Sequence, residues 1–82
     1  MTQGAINVLS HNNNEGFYLM VEGGAIDWAG HGNSLARTIE ETIDFNNTVE
    51  SVVDWVDDPS NSSNWDNTLV IVTADHETGY LL

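Results

Sequence analysis

Apolar residues change their period several times along this chain, and each change marks an element. Between residues 1 and 10, Ala5, Ile6, Val8 and Leu9 recur at helical spacing, which predicts a short helix. His11 to Gly16 (HNNNEG) is turn chemistry, rich in Asn and closed by Gly. Phe17 to Val21 (FYLMV) is then apolar without interruption, bounded by Gly16 and by Gly23-Gly24. Such a run suits a buried strand, and one apolar on both faces suits a parallel sheet covered on both sides.

Ala25 to Asn33 (AIDWAGHGN) reads as irregular or as a short helical turn, because Gly30 and Gly32 oppose a long helix. Thr38 with Glu41 matches a capping box, so a helix is expected to start near Ile39. Its apolar positions, from Ile39 through Phe45 and Val49 to Val56, cover a broad face. The valines lower helix propensity, but about five turns is too long for a strand. Asp57 to Asn67 (DDPSNSSNWDN) is a loop that Pro59 opens. Thr68 to Thr73 (TLVIVT) is β-branched and apolar on both faces, which predicts a second strand. Tyr80 to Leu82 opens a further element.

The predicted order is helix, strand, helix, strand. The expected fold class is therefore α/β: part of a parallel or mixed sheet sandwiched by helices, with a right-handed crossover. In that arrangement sites lie beyond the carboxyl ends of strands. Glu22 and Asp27 follow the first predicted strand, and Asp75 and His76 follow the second, so both clusters are expected at one sheet edge.

At 82 residues the chain is one small domain at most, and 40% apolar content separates it from disordered tails. Thirteen acids face a single base, Arg37, for a formal net charge of -12. That balance disfavours nucleic acid and anionic membranes as partners. Most of these acids read as a solvated face. There is no cysteine, which excludes disulfides and thiolate metal sites. Met1 to Ser10 lacks a signal-peptide pattern, and no run approaches the roughly 20 apolar residues of a membrane span.

A few acids sit where a solvated-face reading is weakest. Asp27 and His31 are four apart (Asp-Trp-Ala-Gly-His), so a helical turn would stack them on one face. A carboxylate and an imidazole are two ordinary donors to zinc, although an isolated D-x-x-x-H is also a common surface pattern. Asp75 and His76 are adjacent at a predicted strand end; there a helix cap and a surface histidine are the competing reading. Together, two mixed half-shells suit two zinc ions about 3.5–4 Å apart, the spacing of two-metal phosphoryl transfer. Glu22 follows an apolar run directly, and Arg37, its only basic candidate partner, is expected to pair with Glu41. A cation is then open to Glu22, and magnesium fits oxygen donors better than zinc. His11 reads as solvent-facing, and Glu77 either supports His76 or starts a helix. Trp28 is a candidate wall of the site, whereas Trp55 and Trp65 read as packing residues. Loop 57–67 lacks EF-hand spacing. Asn46-Asn47-Thr48 and Asn61-Ser62-Ser63 match the low-specificity glycosylation sequon.

FYLMVEGGAIDWAGHGN, followed after residues 34–66 by NTLVIVTADHETG, resembles the alkaline phosphatase family. The resemblance runs through nearly the whole chain in order, and it marks residues 1–82 as part of a catalytic domain of that kind. It implies that Glu22 binds magnesium, that Asp27 and His31 bind one zinc, and that Asp75 and His76 bind the other. Two Zn²⁺ and one Mg²⁺ are the implied cofactors. The implied reaction is hydrolysis of a phosphate monoester, in which zinc activates first a serine and then a water. The family's nucleophile lies in an Asp-Ser-Ala context, and no such tripeptide occurs here, so no catalytic residue is assigned. Arg37 falls in the wrong segment for the family's phosphate-clamping arginine. The chain therefore resembles a middle-to-late segment of a longer enzyme and is expected to be inactive alone. A phosphoglycerate mutase- or sulfatase-like member of the wider superfamily is the alternative, and a truncated metal-binding remnant is another. The full-length protein is expected in the periplasm or outside the cell, and a homodimer is one assembly open to it.

Overall fold

The computed structural model describes residues 1–11 and 15–78 and contains three helices: α1 (Thr2–Ser10), α2 (Gly24–His31) and α3 (Leu35–Asp57). Helix α1 coincides with the helix predicted over residues 1–10. The expected turn at 11–16 and the element at 80–82 fall partly or wholly outside the described residues.

The α/β expectation is overturned. Among the described residues there is no strand and no sheet, and the arrangement is all helical. Residues 17–21 and 68–73, read as two parallel strands, carry no regular structure. Their side chains show why. Tyr18 is 87% exposed and Leu69 82%, and Met20, Ile71 and Val72 are exposed as well. A strand exists only through hydrogen bonds to a neighbouring strand, and β-propensity measures fit to a half-buried surface. Neither run finds a ladder or a covering layer here, so their apolar composition cannot be expressed as a sheet.

Helices close their hydrogen bonds within one segment. In α3, Thr38 Oγ1 donates to the Ser34 carbonyl at 2.8 Å and Thr42 Oγ1 to the Thr38 carbonyl at 2.7 Å. Thr48 and Ser51 bond back to Asp44 and Asn47 in the same way. Helix α3 accordingly starts at Leu35, four residues before the expected Ile39. Ser34 holds the N-cap position, and Thr38 lies inside the helix rather than capping it.

Helix α2 is a full two turns, longer than the glycines suggest, and it ends in a Schellman motif. The Ser34 N–H donates to the Ala29 carbonyl at 3.0 Å and the Asn33 N–H to the Gly30 carbonyl at 2.9 Å. Asn33 takes the left-handed conformation (φ 53°) that this motif requires, a role Asn fills more readily than other non-glycine residues.

Packing is centred on α3, against which both α1 and α2 lie. Ile6 of α1 and Val56 of α3 are each 3% exposed and form the buried core. The Phe17 ring tilts onto Trp55, with centroids 6.2 Å apart. At Gly23 a Cβ would come within 3.0 Å of the Phe45 ring, so the absence of a side chain lets the start of α2 close onto α3.

Beyond α3, residues 58–68 fold on their own Asn and Asp side chains. Asn61 Nδ2 donates to the Trp55 carbonyl at 2.7 Å, satisfying an end of α3. Trp65 Nε1 donates to Asp57 Oδ1 at 2.7 Å. The predicted loop is thus an ordered terminus for the helix.

Candidate metal centre

Asp27 and His31 occupy the first and last turns of α2, where an acid and a base each complement the helix dipole. The four-residue spacing stacks them as expected, with His31 Nε2 3.4 Å from Asp27 Oδ2. The other carboxylate oxygen, Asp27 Oδ1, accepts a short hydrogen bond from Thr78 Oγ1, which comes from the far end of the chain.

Thr78 follows the second donor pair, and it draws that pair toward the first. His76 Nδ1 lies 2.9 Å from the Glu77 carbonyl oxygen. A carbonyl only accepts, so Nδ1 carries the proton, and in the neutral ring the free lone pair is on Nε2. Nε2 faces Asp75 Oδ2 at 3.8 Å. The Glu77 carbonyl is the main influence raising the His76 pKa above 6.5, followed by the Asp75 and Asp27 carboxylates. The Asp27 carboxylate is thus near enough to His76 to add to that rise. Glu77 meets His76 through its backbone carbonyl, a contact that does not depend on its acidic side chain.

Glu22 stands apart. It immediately precedes the N-cap of α2, with Oε1 3.6 Å from where a Cβ on Gly24 would lie. Its side chain borders an open cleft of about 460 Å³ also lined by Glu41, Asp44, Thr48 and Ser51. The expected Arg37–Glu41 ion pair is not formed, although both residues line a shallow recess beside Trp28. Trp28 is exposed and does not wall the donor pairs off from water. Among the described residues, no three His, Asp or Glu side chains converge tightly enough to hold a metal ion. The arrangement is two pairs and a separate carboxylate.

The pairs can be tested against zinc by their spacing. Zinc binds carboxylate oxygen and imidazole nitrogen at about 2.0–2.2 Å. Two donors 3.4 Å apart then subtend about 110° at a shared ion, the tetrahedral angle. The Asp27–His31 spacing therefore matches two positions of a zinc shell. The 3.8 Å of Asp75 and His76 corresponds to about 130°, so this pair must close slightly to match.

Sequence reasoning missed Thr78 and Gly30. Thr78 is 51 residues from Asp27, and no local pattern links them. Gly30 read only as a helix weakener, yet it is buried beneath the Thr78 side chain.

The site thus defines a class: a chain presenting carboxylate–imidazole pairs on two segments that one hydrogen bond holds together. This chain belongs to the alkaline phosphatase family, whose family model matches residues 1–82. It is 40% identical to alkaline phosphatase 3 of Bacillus subtilis (strain 168) over 79 residues, covering 96% of this chain and 16% of the relative. Against the alkaline phosphatase of Escherichia coli (strain K12) it is 41% identical over 76 residues, 93% of the chain and 15% of the relative. With the membrane-bound alkaline phosphatase of Bombyx mori it shares 42% over 76 residues, 93% of the chain and 12% of the relative. The chain spans about a sixth or less of the length of these curated relatives. No solved structure matches it. No helix among the described residues is long and apolar enough to cross a membrane.

Proposed function

We propose that this chain supplies part of the metal shell of a phosphomonoesterase, with Asp27 and His31 holding one zinc, Asp75 and His76 a second, and Glu22 a magnesium. The observation that carries the reading is the tetrahedral spacing of Asp27 Oδ2 and His31 Nε2, in a chain that belongs to the alkaline phosphatase family. A bound zinc pair supplies Lewis acidity, activation of an oxygen nucleophile and a two-metal clamp on the phosphoryl group. The residues here do the holding. Helix α2 fixes the Asp27–His31 spacing, and the Glu77 carbonyl turns the His76 lone pair toward Asp75. For Glu22, an oxygen-only donor bordering an open cleft suits a hydrated magnesium better than zinc.

The nucleophile must come from elsewhere in the polypeptide. Ser34 sits at the N-cap of α3, Ser51 donates into that helix, and Ser60 and Ser63 shape the loop turns. On this reading the 82 residues alone are expected to be inactive, and phosphate monoesters are the substrate class of the complete enzyme. A periplasmic or extracellular setting for the complete enzyme follows from the family resemblance and not from these 82 residues.

Calorimetric titration of the chain with Zn²⁺ at neutral pH tests the reading. Zinc uptake is expected for the wild type, weakened tenfold or more in His31→Ala, with no turnover of an aryl phosphate above the metal-only blank. Equal uptake by wild type and His31→Ala would overturn it.

A further inference from the structure

Thr78 touches α2 twice. Its hydroxyl donates to Asp27 Oδ1, the carboxylate oxygen turned away from His31. Its methyl side lies over Gly30, where an added Cβ would meet Thr78 Cβ and Cγ2 at 3.2 Å and Oγ1 at 3.4 Å. Gly30 is buried under this contact, one turn along α2 from Asp27. The hydroxyl and the methyl thus grip the same helix at two points.

This grip has a defined consequence for Asp27. A carboxylate on a helix surface rotates freely about its side-chain torsions. A hydrogen bond on Oδ1 removes that freedom and leaves Oδ2 presented to His31 Nε2. Hydrogen bonds of this kind around metal ligands typically change metal affinity 10–100-fold when lost. The grip also sets where residues 75–77 lie, because Thr78 is only two residues beyond His76.

We infer that Thr78 is a positioning residue: its hydroxyl locks the Asp27 carboxylate, and its fit over Gly30 docks the Asp75–His76 segment against α2. The inference rests on the zinc reading for its consequence but not for its geometry, so the two can fail separately. A residue larger than glycine at position 30 must push Thr78 outward by a few tenths of an ångström.

The experiment uses the whole chain, wild type beside Thr78→Val and Thr78→Ser. Valine keeps the shape over Gly30 and removes the donor; serine keeps the donor. Two measurements are made on each. In the metal-free protein, three-bond couplings across the Asp27 Cα–Cβ bond report whether the side chain holds one rotamer. One rotamer is expected in wild type and Thr78→Ser, and averaging in Thr78→Val. Zinc affinity by calorimetry is expected to fall about tenfold or more in Thr78→Val and to be restored by Thr78→Ser. Averaged couplings in the wild type overturn the inference whether or not zinc binds. So does a Thr78→Val protein with wild-type couplings or wild-type zinc affinity. A locked Asp27 in a wild-type chain that takes up no zinc supports the positioning role and sinks the zinc reading instead.

Discussion

Helix α3 and the run Thr68–Thr73 are made of much the same residues and meet opposite fates. The later turns of α3 carry Val49, Val52, Val53 and Val56; the run carries Val70, Ile71 and Val72. In α3 the valines lie partly or fully buried, and every turn is closed by bonds within the segment, several reinforced by Thr and Ser hydroxyls. In the run, Leu69, Ile71 and Val72 remain exposed and no ladder forms among the described residues. The difference lies in where hydrogen-bond partners come from. A helix finds them four residues away, whereas a strand needs a second segment brought alongside.

The largest test of this comparison places a charge in each region. Val56→Asp buries an unpaired carboxylate in the small core and is expected to cost about 3 kcal/mol or more. In a chain this small that loss removes the cooperative melt followed by circular dichroism at 222 nm. Leu69→Asp puts the same group on an exposed side chain and is expected to shift stability by about 0.5 kcal/mol or less. Equal losses from the two substitutions would erase the distinction between a packed helix and an unpartnered run.

The same physics sets how much was legible in the sequence. Helix α1 and the body of α3 follow from spacing, because their stabilising bonds are local. The start of α3 did not, since Thr38 and Glu41 match a capping box, while the hydroxyl of Thr38 bonds back to Ser34 inside the helix. The two strands were misread because β-branched runs report a preference for burial in a sheet, and no sheet is built among the described residues. In the site, the Asp27–His31 spacing was legible as an i, i+4 pair, and Asp75–His76 as neighbours. The link between them was not, because Thr78 reaches Asp27 across 51 residues.

A smaller effect is expected at the junction of the two helices. Asn33 holds a left-handed conformation that frees the Ser34 and Asn33 N–H groups to close α2. Asn33→Gly is expected to keep or slightly raise the melting temperature, because glycine has no steric penalty there. Asn33→Val is expected to lower stability by about 1–2 kcal/mol, since β-branched residues resist positive φ. Denaturant titration of both variants distinguishes them. If Gly and Val behave alike, the Schellman geometry is not what separates α2 from α3.

The smallest effect concerns the other end of α3 and is read by pH. Asp58 follows the helix, and its Oδ1 accepts the Ser60 N–H at 2.9 Å. That backbone bond, aided by the Ser60 side chain, lowers the Asp58 pKa below its ordinary 3.8. A carboxylate with a depressed folded pKa favours the folded state fully above the unfolded value, and the contribution fades as pH falls through the folded value. The turn after α3 is therefore expected to hold above pH 3.8 and to loosen below it. Side-chain carboxyl NMR between pH 2 and 6 checks this, with the Asp58 midpoint expected below 3.8. Ser60→Pro deletes the N–H donor and is expected to raise that midpoint, whereas Ser60→Ala keeps the larger backbone contribution and moves it less. A greater rise in Ser60→Ala would transfer the cause from the backbone to the hydroxyl. The closed end of α3 would then depend on a side chain, as the Asp27–Thr78 contact does, and not on the backbone bonds that set helices apart from the unpartnered runs.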